Sequence, residues 1–270
     1  AGNGFRMANI FTEDHAALTG ARSVEFEGEL NPEKSWNVNL NFVKKNYFTN
    51  GFFLGIDSSI FYTYFNNRIL PDYDTDPNKI IYGNLEGYSV SKGISLNLDM
   101  LWISGLKILA GATLMDVSVN ENGERFRQLL TESFQSTWGI SYELTSIGLA
   151  IDYTGNLYGP MRLPLLGKLD PRPEYSPWWS IQNIQLTKTF SNQWEIYGGF
   201  KNLLDFTPDS SSIARPYDPF DQNVVFGNDG QVIPNAENPY ALTFDPSYVY
   251  AANQGIRGFI GIRYTLKTGI

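Results

Sequence analysis

Trp36-Asn37-Val38-Asn39-Leu40-Asn41-Phe42 alternates a large apolar residue with a small amide. Side chains of a strand point to opposite faces with a period of two. The segment therefore has one apolar face and one wet face. Gly93-Ile94-Ser95-Leu96-Asn97-Leu98-Asp99-Met100 repeats the pattern, and Gly258 to Leu266 repeats it again. A soluble sandwich would do the same. The connections separate the two readings. They alternate between turns of about four residues and loops of about twenty to fifty, as in a transmembrane β-barrel with short periplasmic turns and long extracellular loops.

Read this way, the chain holds nine full strands, at 35–45, 52–65, 88–101, 106–119, 133–144, 148–157, 178–190, 194–204 and 256–267. Residues 1–10 are the upper end of a tenth. Tight turns fall at 46–51, 102–105, 144–147 and 190–193, and loops at 11–34, 66–87, 120–132, 158–177 and 205–255. The facing of 106–119 is ambiguous. Trp36, Val38, Leu40, Phe42, Ile94, Leu96, Leu98, Ile260 and Ile262 are expected on the outer face. Asp57, Asp99, Asp152 and Glu143 are expected to face the lumen. The fold class is thus all-β, an antiparallel transmembrane barrel wall.

Composition agrees with this. The 270 residues include no Cys, one His and 15% aromatic residues. No apolar run approaches the roughly 18 residues of a transmembrane helix. Mean hydropathy is −0.25, as expected where only alternate residues face lipid. The aromatic excess suits girdles at the two membrane interfaces. A net charge of −8 argues against a nucleic-acid partner, which needs a basic face. The lack of Cys excludes disulfides, thiolate metal sites and Cys catalysis. One His and no nucleophile elbow leave Ser-His-Asp chemistry unsupported, so an enzyme is not expected. Gly198-Gly199 lies inside a strand, where it eases close packing or bending.

Nine strands and a tip leave two edges. Unpaired backbone in hydrocarbon costs roughly several kcal/mol per group, so only closed barrels span. The wall is expected to close against strands outside these residues. Ala1 is not a start Met and no signal peptide is visible, so the remaining strands are expected either upstream or on another chain.

Four segments carry a resemblance. Phe5-Arg6-Met7-Ala8-Asn9-Ile10 resembles the Phe-Arg-Ala-Pro box of TonB-dependent outer-membrane receptors, with Met7 in place of the usual Ala. Leu30-Asn31-Pro32-Glu33-Lys34-Ser35 is similar to their Asn-Pro box, which precedes a strand. Tyr197-Gly198-Gly199-Phe200-Lys201-Asn202-Leu203-Leu204-Asp205 resembles their penultimate strand, and Gly255 to Tyr264 their closing strand. Lys267 to Ile270 runs past Tyr264, where the family usually ends. Asp218-Pro219-Phe220-Asp221 resembles the Bacteroidetes branch. The resemblance implies a 22-stranded barrel, of which this chain is the C-terminal nine to ten strands. It also implies a plug domain, the remaining barrel strands, an inner-membrane energy-transducing complex, and contact with outer-membrane lipid and lipopolysaccharide. A surface lipoprotein is a further expected partner.

Under that resemblance the expected function is import of a scarce nutrient: a ferric siderophore, cobalamin or similar. In the upper loops Arg162, Lys168, Arg172 and Arg215 lie near Tyr158, Trp178, Trp179 and Tyr217. Guanidinium groups suit an anionic ligand and aromatic rings a flat or hydrophobic one. Arg162, Arg172, Trp178, Trp179, Arg215 and Tyr217 are the candidate ligand contacts; lipopolysaccharide contact or loop packing would use the same residues. His15 could ligate haem iron. Asp72, Asp74 and Asp76 are spaced like carboxylates of a calcium loop, although Pro77 and Gly83 break the EF-hand rule. No cofactor is otherwise indicated. A passive porin or a structural barrel subunit of a surface complex is the competing reading, and an outer-membrane phospholipase or protease a weaker one.

Overall fold

The computed structural model describes residues 1–7, 22–73, 75–76, 78–121, 123–190 and 193–266. In chain order the strands are β1 (Gly2–Arg6), β2 (Ser23–Phe26), β3 (Glu33–Tyr47), β4 (Phe53–Asn66), β5 (Ile69–Asp72) and β6 (Lys79–Asn84). Then come β7 (Gly87–Leu101), β8 (Leu106–Glu121), β9 (Glu124–Arg127), β10 (Phe134–Leu144) and β11 (Leu149–Tyr158). The last are β12 (Gln182–Thr189), β13 (Trp194–Lys201), β14 (Val225–Phe226), β15 (Val232–Ile233) and β16 (Arg257–Tyr264).

One sheet of 11 strands forms the wall, in the order β1-β3-β4-β7-β8-β10-β11-β12-β13-β16, with β9 on β8. All neighbours in it are antiparallel. The nine expected strands and the N-terminal tip are all present. The one at 178–190 starts late, at Gln182, and residues 178–181 meet β11 through the Tyr158–Trp179 bridge and through hydrogen bonds of Ser180 and Ile181 with Asn156. β16 pairs with β13 and β1 with β3, so both outer edges are open among the described residues.

The registers carry one face across the whole wall. Val38 lies opposite Tyr62, and Leu40 opposite Ile60, then Ile94, then Leu114. Further along, Ile140 meets Tyr153, Ile184 and Phe200. Ile196 meets Ile262, and Gly198 meets Ile260. Every residue named above for the outer face lies on it. Leu40 is 69% exposed and Ile260 83%, without a core to bury them. So large a continuous apolar surface needs an apolar solvent. The opposite face carries Asn37, Asn39, Asn41, Asp57, Asn97, Asp99, Glu143 and Asp152, and Ser141 donates to Asp152 at 2.6 Å. The register also settles the ambiguous strand. On β8, Ile108, Ala110, Ala112 and Leu114 face out, and Leu109, Met115 and Val117 face in. Both faces are apolar there, so alternation alone could not choose.

Aromatic pairs mark both rims of the outer face. At the turn end Phe52 packs on Phe48 (5.4 Å) and Trp102 (4.9 Å), and Trp194 on Tyr264 (4.7 Å). At the loop end Tyr64 stacks on Tyr88 (5.2 Å), and Phe134 packs on Trp178 (5.5 Å). About 12 residues separate Phe52 from Tyr64, roughly 40 Å along a strand, or about 30 Å along the membrane normal at the tilt of such barrels.

Four of the expected loops are not plain loops. β2, β6 and β5 form a small sheet in that order, with β2 and β6 parallel. β9 extends the β8 hairpin, and β14 pairs with β15. The segment 66–87 hid its strands behind Pro71 and its acidic residues. Pro71 lies on β5, an edge strand of the small sheet, where a missing N–H is tolerated. This sheet has its own buried cluster of Ile69, Tyr73, Ile80 and Tyr82. Soluble-type packing therefore sits on top of a lipid-type wall.

Candidate functional site

The loop layer is fastened to the wall by residues of the recognisable segments. Arg6 and Glu33 are cross-strand partners on β1 and β3, and Arg6 donates Nε–H to Glu33 at 2.7 Å. The buried Glu33 carboxylate also accepts from the Ile69 backbone N–H at 2.9 Å, where the small sheet begins. Asn202, left-handed at φ 54°, closes the end of β13. Its side chain donates to Phe206 O (2.7 Å) and Gln254 O (3.0 Å) and accepts from Phe206 N–H (3.0 Å). Asp205 accepts from Ile256 N–H at 2.7 Å. Together they bring the two ends of the longest loop back to adjacent strands.

Beneath this layer, on the inner side of the wall, lies an open chamber of about 850 Å³. Arg6, Arg68, Arg127 and Arg162 line it with Glu27, Glu33, Asp72 and Glu121, and its apolar surface comes from Ile69, Leu129 and Val119 among others. Charges of the two signs balance. Arg68 donates to Ser89 at 2.8 Å and lies over the Phe65 ring. Burial pushes its guanidinium pKa below the ordinary value, against the pull of Glu33. Arg162 pairs with Glu174 at 3.1 Å and lies 5.9 Å from the Phe126 ring centre. Of the chamber residues, only Arg162 and Asp72 are among the ligand and metal candidates read from the sequence, and Arg6 and Glu33 belong to its recognisable segments. Arg68 and Arg127 had no local signal, because their position comes from the small sheet and the β8–β9 hairpin.

The other expected ligand contacts separate. Arg172 is buried against Asp170 at 2.7 Å and lies 4.1 Å from the Tyr248 ring centre. Arg215 is ion-paired with Asp221, donates to Glu237 O, and lies over Tyr217, itself 53% exposed. Both cations have their charge matched within the loops. Trp178 and Trp179 point to opposite faces, as neighbours in an extended segment do. Trp178 joins the outer rim through Phe134. Trp179 turns inward, stacked on Tyr158 at 4.3 Å and on Phe206 at 5.8 Å.

For the metal candidates, His15 and Asp74 lie outside the described residues. Asp72 accepts from Thr75 N–H at 3.0 Å and Asp76 from Asn78 N–H at 2.9 Å, both as turn acceptors. No group of three His, Cys, Asp or Glu suited to a metal occurs among the described residues.

The Asp170–Arg172–Tyr248 group has a pH consequence. Burial pushes the Asp170 carboxyl up, but hydrogen bonds from the Arg172 side chain and from Leu166 and Arg172 N–H outweigh it, so its pKa lies below 3.8. Burial pushes the Tyr248 phenol up to about 12, so it stays a donor, here to Pro173 O. A depressed carboxyl stabilises the fold fully above its unfolded pKa, and the gain is lost as pH falls through the folded value. Acidification below about pH 4 should therefore open segment 161–176 first. Limited proteolysis of the receptor against pH reads this, and Asp170→Asn should leave the segment open at neutral pH.

Residues 1–203 match the family described as TonB dependent receptor-like, beta-barrel. No curated protein sequence matches the chain significantly. Among solved structures, it is similar to the pyoverdine outer membrane receptor FpvA from Pseudomonas aeruginosa PAO1. The TM-score is 0.54 at 13% identity, over 88% of this chain and 30% of that one. The ferric enterobactin receptor PfeA from Pseudomonas aeruginosa gives 0.54 at 14%, over 88% and 32%. The copper transporter OprC gives 0.54 at 12%, over 76% and 30%. The chain spans about a third of the length of these structures. By its family model and its wall, the chain belongs to the TonB-dependent receptor-like β-barrel family of the bacterial outer membrane, a family of receptors and not of enzymes.

Proposed function

We propose that this chain is the C-terminal barrel portion of a receptor that imports a scarce metal complex, of ferric siderophore or corrinoid size. The observation that carries the reading is the chamber under the packed loop layer. At about 850 Å³ it lies within the range of ligand pockets, and it mixes guanidinium groups, carboxylates and apolar surface. Two structural neighbours are named for siderophores, which favours that class over corrinoids. The open edges of β1 and β16 call for further strands, since unpaired backbone is not left in hydrocarbon. A plug in the lumen and an inner-membrane energy complex complete the proposed machine.

Of the candidate contacts, Arg162 is the one on the chamber wall, and it is assigned here to the ligand. Arg172 and Arg215 are assigned to holding the loops. In the full-length receptor, Arg162→Ala should lower the affinity for its ferric siderophore about tenfold or more, the loss of one charge-assisted hydrogen bond of roughly 1.5–3 kcal/mol. Receptor level in the membrane should not change. Uptake that persists without the energy complex would favour a passive pore instead. Growth on haem that depends on His15 would favour haem.

A further inference from the structure

One cation of the chamber is held in place without an anion. The nearby Glu33 carboxylate is fully engaged elsewhere. Its Oε2 lies 2.7 Å from both Nε and Nη2 of Arg6, and its Oε1 accepts from the Ile69 N–H at 2.9 Å. Arg68 feels the charge of Glu33, yet it forms no ion pair with any acid among the described residues. Arg162, by contrast, keeps Glu174.

The Arg68 head group is fixed all the same. Phe65 on β4 and Ser89 on β7 are cross-strand neighbours on the inner face. The guanidinium lies 5.0 Å from the Phe65 ring centre, and its Nη1 donates to the fully buried Ser89 hydroxyl at 2.8 Å. The backbone is anchored too, since Arg68 O accepts from the Leu85 N–H at 2.8 Å. A guanidinium offers its N–H donors in a planar fork. One is used here, and the others have no partner among the described residues, although the side chain lines the open chamber. Taking a cation out of water without a counter-ion is costly, and a matching anion offsets that cost.

Charge and shape say which anion. Arg6, Arg68, Arg127 and Arg162 are matched in number by Glu27, Glu33, Asp72 and Glu121. A multiply charged anion therefore gains little from the chamber as a whole. A planar two-oxygen group fits the fork of a single guanidinium through two parallel bonds. Ile69 and Val119 supply apolar surface for the carbon skeleton beside it.

We propose that Arg68 is the anion receptor of the chamber and that it takes a carboxylate on a ligand of low net charge. This rests on the chamber being the import site, and it narrows the cargo to complexes with a free carboxylate.

The test labels the arginines of the full-length receptor with phenylglyoxal, read by peptide mass spectrometry, with benzoate as the probe. Arg68 should react faster than Arg172, which Asp170 holds. Saturating benzoate should slow labelling of Arg68 about tenfold, because two parallel bonds cover its nitrogens. Benzamide should not slow it, and phosphate should protect less than benzoate at equal concentration. In a second arm, N-succinyl ferrioxamine B, which has one free carboxylate, should bind Arg68→Lys about tenfold more weakly than wild type, since an ammonium lacks the fork. N-acetyl ferrioxamine B, which has none, should bind both proteins alike. The labelling arm uses the unaltered receptor, so it decides even if the variant assembles poorly. The proposal is overturned if benzoate protects no better than benzamide or phosphate, or if Arg68→Lys binds the succinyl complex as tightly as wild type does. Protection by benzoate in a receptor that binds neither ferrioxamine would uphold the carboxylate site and count against import of a metal complex.

Discussion

Replacing Arg22 with Ala should release much of the loop layer while the wall stays assembled. Arg22 and Asp245 form an ion pair at 2.7 Å, with side chains 1% and 0% exposed. The pair joins the first loop to the last, far apart in sequence. Arg22 also donates to Tyr73 O at 3.1 Å and lies over the Tyr73 ring. Asp245 accepts from Ser247 N–H at 2.9 Å and from its hydroxyl at 2.6 Å. Removing one member of a buried pair strands the other charge, at a cost of about 3–5 kcal/mol. The Arg22 Nε–H has no partner among the described residues. Hydrogen exchange in the full receptor should rise at 69–84 and 214–247 and stay slow in β3, β4 and β7. The apolar double variant Arg22→Met, Asp245→Leu should restore most of the protection, since well-packed apolar replacements of such pairs are often neutral. Unchanged exchange in Arg22→Ala would show that the pair does not hold the layer.

The second large effect is steric and lies in the wall. A Cβ added at Gly199 would meet the Ile184 carbonyl oxygen at 2.0 Å and the Gln185 Cα at 2.9 Å. Both are backbone atoms of the neighbouring strand, so no rotamer change relieves the clash. Gly199 lies opposite Gln185 on one side and Phe259 on the other, inside the sheet. Gly199→Ala must therefore push β12 from β13 and break ladder bonds where lipid offers no substitute. Overpacking alone costs about 1–3 kcal/mol, and more where backbone must move. The expected result is loss of the heat-modifiable, folded band on gels and of receptor from the outer membrane. At Gly198 the nearest approach is 3.0 Å, to Phe259 O, so Gly198→Ala should cost less. Equal assembly of Gly199→Ala and wild type would remove close backbone packing as the reason for this glycine.

The recognisable segments mean more in the structure than in the sequence. Arg6 and Glu33 fall in two separate segments, and nothing local shows that they bond across β1 and β3. Asn202 and Asp205 read as parts of a familiar string. Their work is to turn the chain at positive φ, 54° and 51°, and to hold the longest loop closed. Asn and Asp accept that conformation more readily than other residues with a Cβ. In the sequence Arg172 and Arg162 are equivalent as ligand contacts. Both are loop arginines near aromatic residues. Only the fold places Asp170 and Tyr248 around one and an open chamber beside the other.

What the sequence by itself determined is the wall. Its strands, their alternation, the outward residues and the short and long connections all follow from a period of two, which is a local property of the chain. Lipid on one side and water or plug on the other then enforce that period at almost every position. The structure alone decided what covers the wall. The β2–β6–β5 sheet, the Arg22–Asp245 pair, and the chamber with Arg68 and Arg127 all join residues from distant segments. Such contacts leave no periodic trace, because a packed loop needs only complementary partners in space.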